Sequence, residues 1–191
     1  MQIAKRVLRC LKGTKQCGLL YQPALHKHFQ IELFVDADYA NDKSTRRSTS
    51  GNLIFLNKCL VSWKSKLQNI VTLSTLEAEY ISMSYGMHEA LWLKSMLAEL
   101  RLPLQLPITV YEDNQSTIKM DENPTLHQRT KHIDVRHHFI RDLVKQRIIK
   151  IEYCSTEKMV ADLAFPRPKF EEHNETIMTS INPKVPDESL N

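Results

Sequence analysis

Hydrophobic and polar residues alternate along Gln-Ile-Glu-Leu-Phe-Val-Asp-Ala-Asp (30–38), the period-two pattern of a strand with one buried face. Strand-like runs recur at about 52–57 and 60–65, and the tight connection between them near Asn57-Lys58 reads as a hairpin. From about 75 to 100 the period changes. Leu76, Tyr80, Met83, Met87, Ala90 and Leu97 keep helical spacing, and Ser74 with Glu77 has the spacing of a capping box. Pro103 and Pro107 bracket a linker into a strand at 108–112. A short helix near 115–121, a longer one near 131–146, a strand at 148–153 and a last short helix at 157–164 complete the pattern. Ahead of all this, Ile3, Val7, Leu8 and Leu11 share one helical face ended by Lys12-Gly13, which predicts a packing helix over 2–12. The order β-β-β-α-β-α-α-β-α predicts an α/β fold, an antiparallel meander followed by crossover units. After Phe165, the prolines Pro166, Pro168, Pro183 and Pro186 with Glu-Glu-His-Asn-Glu (171–175) predict a poorly ordered tail.

Composition narrows the setting. With 191 residues, 42% hydrophobic and 25% charged, the chain has room for one ordinary domain plus tails and is not of disordered type. No apolar run approaches the roughly 20 residues of a membrane span, and Met-Gln-Ile-Ala-Lys-Arg is not a secretory signal. The four cysteines (Cys10, Cys17, Cys59, Cys154) are scattered and form no Cys-x-x-Cys pair, so the expectation is reduced thiols inside a cell, in cytoplasm or nucleus. A net charge of +4 permits a polyanionic partner without demanding one.

Candidate chemistry lies in four acids at the edges of separate elements: Asp36, Glu79, Asp113 and Asp162. Carboxylates gathered from different elements suit hard divalent cations, two of which, about 4 Å apart, drive in-line attack on a phosphodiester. Each acid also has an ordinary reading. Glu77 and Glu79 favour the positive end of a helix dipole, Asp113 can cap the next helix as Asn114 can, and Asp162 can face solvent. Asp36 fits an ordinary role least, since an aspartate closing an apolar strand packs poorly unless it pairs or binds a cation.

Lys43, Arg46, Arg47, Ser48, Thr49 and Ser50 make a basic, hydroxyl-rich loop, suited to phosphate and ribose 2′-OH contacts or simply to solvent. Lys64 and Lys66 beside Trp63 repeat the theme, with Trp63 an alternative core residue. Between Arg129 and Lys150, seven basic residues stand against two aspartates, and Arg129, Lys131 and Arg136 lie in the first half of that stretch. It is either a backbone-tracking face or an exposed helix face. His132, Asp134, His137 and His138 lack the spacing of a zinc site.

Seven stretches together resemble the ribonuclease H domain of copia-type LTR retrotransposon Pol polyproteins. They are Val-Asp-Ala-Asp-Tyr-Ala (35–40), Arg-Arg-Ser-Thr-Ser-Gly (46–51), Val-Ser-Trp-Lys-Ser-Lys (61–66), Leu-Ser-Thr-Leu-Glu-Ala-Glu-Tyr (73–80), Glu-Ala-Leu-Trp-Leu (89–93), Glu-Asp-Asn-Gln-Ser (112–116) and Arg-Thr-Lys-His-Ile-Asp-Val-Arg-His-His-Phe-Ile-Arg (129–141). The resemblance runs from about Lys5 to about Glu172. It implies a ribonuclease H-like fold, a mixed five-stranded sheet flanked by helices, over 29–165. Residues 1–22 would be a connector helix from the polymerase side, and 166–191 the tail. It also implies an endonuclease that hydrolyses the RNA strand of RNA–DNA hybrids with two Mg2+ ions, Mn2+ being the alternative. Asp36, Glu79, Asp113 and Asp162 would be the catalytic metal ligands, with Asp38, Glu77 and Glu112 as neighbours. Arg46, Arg47, Ser48, Thr49, Ser50, Lys64, Lys66, Arg129, Lys131 and Arg136 would touch nucleic acid, and a polymerase module would act in trans.

The chain departs from the family in two places. The hairpin at Asn57-Lys58 lacks glycine. Ala164-Phe165 runs straight into Pro166-Arg167-Pro168, which implies a shortened last helix and a weakened hold on Asp162. Residues 154–158 (Cys-Ser-Thr-Glu-Lys) also lack the mobile histidine of many cellular ribonucleases H. With no Tyr-x-Asp-Asp polymerase motif in the chain and the last helix shortened, the alternative is an inactive, free-standing remnant that folds and at most binds nucleic acid. An integrase or transposase is disfavoured by the acid order Asp, Glu, Asp, Asp.

Overall fold

The computed structural model describes residues 2–15, 18, 19, 21, 27–122 and 131–165. Its centre is β1 (Ile31–Asp38), whose alternation buries Ile31, Leu33 and Val35 on one face. β2 (Thr49–Leu56) pairs antiparallel with β1, and β3 (Cys59–Leu67) antiparallel with β2. The β2–β3 turn places Asn57 and Lys58 at φ 49° and 65°. That is the left-handed pair a two-residue hairpin needs, reached here without glycine. Asn57 eases this by accepting the Gln30 N–H on its side-chain oxygen at 2.8 Å.

β4 (Ile108–Glu112) lies parallel to β1 on the other side, and β5 (Ile149–Tyr153) parallel to β4. The sheet order is therefore β3-β2-β1-β4-β5, a mixed five-stranded sheet of the expected class. α2 (Thr75–Glu99) and α4 (Lys131–Lys145) cover one face, with α3 (Gln115–Glu122) following β4. The main core joins Leu33, Val35 and Val110 to Tyr80, Met83, Met87 and Ala90 of α2 and to Ile140 and Leu143 of α4. α2 sits close to the sheet at Gly86, where a Cβ would lie 2.8 Å from Val35 Cγ1.

The opposite face carries a smaller core. Leu53 and Phe55 meet Met159, Val160 and Ala161, and the rings of Phe34 and Tyr111 stack at 4.5 Å. The last segment differs from the single helix expected there. It forms two 3-10 turns, Thr156–Lys158 and Val160–Ala164, separated by Met159 at ψ 92°. Phe165 is extended (φ −108°, ψ 141°), as a residue before proline prefers, so the chain cannot wind on.

Two further expectations change. Trp63 is 62% exposed and is not a core residue. α1 (Gln2–Gly13) is helical, but Val7, Leu8 and Leu11 are exposed, so these side chains do not pack as expected. The tail beyond Phe165 lies outside the described residues.

Candidate active site

Asp36 occupies the sixth position of β1, 5% exposed, and its Oδ1 accepts the Ala37 N–H at 2.8 Å. Glu79 comes from the first turns of α2. Ser74 caps that helix, its Oγ accepting the Glu77 N–H at 3.2 Å. Glu77 in turn reaches back, accepting the Leu73 N–H at 2.8 Å. Glu77 is thereby committed to the helix end, while Glu79, 6% exposed, points inward. Asp113 follows β4, and Thr156 Oγ1 donates to its Oδ2 at 2.8 Å. One oxygen from each of Asp36, Glu79 and Asp113 lies within 4.8 Å of the other two. Asp162 joins them through a carboxyl–carboxyl hydrogen bond to Asp36. The structure thus brings all four sequence-selected acids together.

Crowding four acids in a half-closed site has a large electrostatic effect. Burial, then the hydrogen bond and charge of Asp162, then the charge of Asp113 push the Asp36 carboxyl up to about 8. Burial, followed by the charges of Glu112, Asp36 and Asp113, pushes Glu79 up to about 11. Glu112, fully buried, is also raised well above its ordinary range, chiefly by burial. Its Oε1 accepts the Asn114 N–H at 3.1 Å. Among the described residues, the buried Oε2 atoms of Glu79 and Glu112 have no hydrogen-bond partner. Buried carboxylate oxygens left this way call for a proton or a cation. The donor set is all oxygen, which fits magnesium or manganese rather than zinc.

The proposed nucleic-acid contacts divide. In the loop after β1, Asp42 accepts bonds from the Ser44 N–H, Ser44 Oγ and Thr45 Oγ1, and Arg46 stands exposed at φ 56°. Arg47 Nε donates to Thr45 Oγ1 at 3.2 Å, and Thr49 is half-buried in β2. Ser48 and Ser50 do not face a ligand as expected. They are 0% and 2% exposed, and their hydroxyls serve the fold: Ser48 Oγ accepts the Ala40 N–H and meets Thr72, and Ser50 Oγ accepts from Gln68. Lys64 is paired with Glu89 at 2.5 Å. Lys66 and Arg136 instead converge on Tyr85, a residue that sequence reasoning missed. Arg129 and the side chains of Lys131 and His132 lie outside the described residues. His137 packs on the Tyr80 ring at 5.5 Å, and among the described residues the candidate metal-holding group is the acidic trio.

This order of strands and helices is that of the ribonuclease H fold. LC11-RNase H1, isolated from compost by a metagenomic approach, superposes with a TM-score of 0.54 at 14% identity, over 71% of this chain and 91% of that one. The same protein in complex with RNA/DNA hybrid gives a TM-score of 0.50 at 13% identity, over 68% and 88%. The particular lineage comes from sequence: the homologues of this chain are copia-type retrotransposon Pol polyproteins. It is 41% identical over 176 residues to the retrovirus-related Pol polyprotein from transposon TNT 1-94 of Nicotiana tabacum, covering 89% of this chain. It is 36% identical over 162 residues to that from transposon RE1 of Arabidopsis thaliana, covering 85%. The chain spans 13% and 11% of those polyproteins. No family model matches. No helix among the described residues is long and apolar enough to cross a membrane.

Proposed function

We propose that this chain is a divalent-cation-dependent ribonuclease H that cuts the RNA strand of RNA–DNA hybrids. The observation that carries the reading is the meeting of Asp36, Glu79 and Asp113 within 4.8 Å, with Asp162 bonded to Asp36. Magnesium, or manganese in its place, would supply an activated water and stabilise the charge that develops on the departing 3′ oxygen. Asp36 touches both the trio and Asp162, which suits it to be the shared ligand. Glu79 and Asp113 would hold one ion with it, and Asp162 the other. Thr156 fixes the carboxylate plane of Asp113. With no histidine between Cys154 and Lys158, no side chain of that stretch serves as an imidazole proton shuttle.

The substrate reading draws support from the hybrid-bound LC11-RNase H1 and from the Pol relatives. Residues 29–165 form the catalytic unit in this reading, 1–22 the connector and 166–191 the tail, with a polymerase module supplied in trans. The inactive-remnant alternative rests on a weakened hold on Asp162. The bond between Asp162 and Asp36 speaks against it. Purified protein offered RNA–DNA hybrid, single-stranded RNA and duplex DNA in magnesium should cut the hybrid alone. Absence of cleavage by a folded, magnesium-binding protein would favour the remnant.

A further inference from the structure

The turn of α2 that carries Glu79 is held to the sheet at two points, one on each side of that residue. Gln68, the residue after β3, is wholly buried, and its backbone N–H donates to Ser48 O at 2.8 Å. Its side-chain amide reaches in two directions. Nε2 donates to Ser50 Oγ at 2.9 Å and to Ala78 O at 2.9 Å. Ser50 opposes Ala37, the neighbour of Asp36, and Ala78 is the neighbour of Glu79. One amide therefore joins the strand region beside one acid to the helix residue beside another.

The second point lies one turn further along the helix. Ser82, also wholly buried, donates its hydroxyl to Asp36 O at 2.7 Å, with Gly51 O at 3.3 Å sharing the proton. In an α-helix the N–H of residue 82 pairs with the carbonyl of residue 78, so Ala78 O accepts from the Ser82 backbone as well as from Gln68. A continuous chain of hydrogen bonds runs from Gln68 through Ala78 and Ser82 to the backbone of Asp36.

The Gln68 amide is ill suited to a purely structural role. Ala78 O can only accept, so this contact fixes which end of the amide is nitrogen. The other end, Gln68 Oε1, is buried with no hydrogen-bond partner among the described residues. A buried oxygen left this way costs stability, and an apolar side chain of the same length would sit there at less cost. What the amide secures is position. The carboxylates of Asp36, Glu79 and Asp113, within 4.8 Å of one another, repel when charged, so the turn that presents Glu79 needs a hold independent of them. Gln68 is uncharged and stands outside the trio.

We propose that Gln68 is a positioning residue for the carboxylate site: through Ala78 it sets where Glu79 stands relative to Asp36, with Ser82 holding the far side of the same turn. The proposal rests on the hybrid-cleaving reading and specifies what aligns two of its four acids.

The test compares wild type with Gln68→Met, which keeps the length and removes the amide. Three things are read: the melting temperature in chelator, magnesium binding by calorimetry without nucleic acid, and kcat and KM for hybrid cleavage. Gln68→Met should melt at or above the wild-type temperature, yet bind magnesium about three- to tenfold more weakly and lower kcat by a similar factor. KM for the hybrid should stay within about twofold, because the buried amide touches no substrate. Ser82→Ala, which releases the other anchor, should shift magnesium affinity and kcat in the same direction. Unchanged magnesium affinity and kcat in Gln68→Met would overturn the proposal whatever Ser82→Ala does. A Gln68→Met chain that fails to fold would also overturn it, since the amide would then be a structural part. If wild type binds magnesium but cuts no hybrid, the proposed function falls by itself, and the calorimetric shift still decides the placement of Glu79. A wild type that binds no magnesium would overturn both.

Discussion

The ring of Phe165 fills the space where a side chain on Gly51 would begin: a Cβ there would lie 2.7 Å from Phe165 Cζ and 2.9 Å from Ala164 Cβ. Gly51 is also the partner of Asp36 across the β1–β2 ladder. The missing side chain therefore lets the Asp162 segment settle onto β2 directly beside Asp36 of β1. Gly51→Val should lift that segment, at a cost of about 1–3 kcal/mol in stability from overpacking. Hybrid cleavage should fall by at least about tenfold, because a displaced ligand costs activity out of proportion to stability. Cleavage assays paired with thermal melts check this, and full activity would show that Asp162 keeps its place without the close approach.

Asp36→Asn should abolish cleavage while leaving the circular dichroism spectrum unchanged. In cation-free buffer it should also raise the melting temperature, because it removes an acid that burial and two neighbouring acids disfavour as an anion. Retained magnesium-dependent cleavage would refute the assignment of this residue.

Acidity in the site gives the cation-free protein a pH dependence of definite sign. Asp36 is raised from 3.8 to about 8 and Glu79 from 4.5 to about 11, so the folded chain holds protons that the unfolded chain releases. Stability from these groups is fully present below their ordinary values and is lost as pH rises, for Asp36 through about 8. Chelator-treated protein should therefore melt at lower temperature at pH 8 than at pH 5. Added magnesium should reverse most of the loss at pH 8 and little of it at pH 5, read by melts at both values.

Thr156→Val removes the donor that holds Asp113 and keeps the side-chain shape. Thr156 is exposed, so stability should change by less than about 1 kcal/mol. Cleavage should drop several-fold and need more magnesium for half-maximal rate. An unchanged magnesium requirement would mean that Asp113 is positioned without this bond.

Much of this fold can be read from local pattern. Alternation set β1, the cap at Ser74 set the start of α2, and the period along Tyr80, Met83 and Met87 set its buried face. The acids were legible because their neighbours carry motifs at fixed offsets. What escaped depends on contacts between distant parts of the chain. Ser48 and Ser50 look like ligand-seeking hydroxyls until Thr72 and Gln68, more than fifteen residues away, take them up. Trp63 looks like core, but the outer strand leaves it in solvent. Tyr85 gave no signal, since nothing local announces that Lys66 and Arg136 will meet over it. The two 3-10 turns could be traced in part to Pro166, yet only the packing at Gly51 explains how so short a segment still delivers Asp162.

The alternation of β4 buries Glu112 with Ile108 and Val110, and the strand ends there, so that Asp113, the next residue, joins Asp36 and Glu79. A nuclease site placed at a sheet edge could discard its acids by mutation and keep folding. Here one acid, Glu112, is walled in behind the others, so the core and the proposed cation site meet in two consecutive residues. A Glu112→Gln chain would lose an acid that burial holds well above its ordinary range, so the price of housing it is carried by the core rather than by the surface.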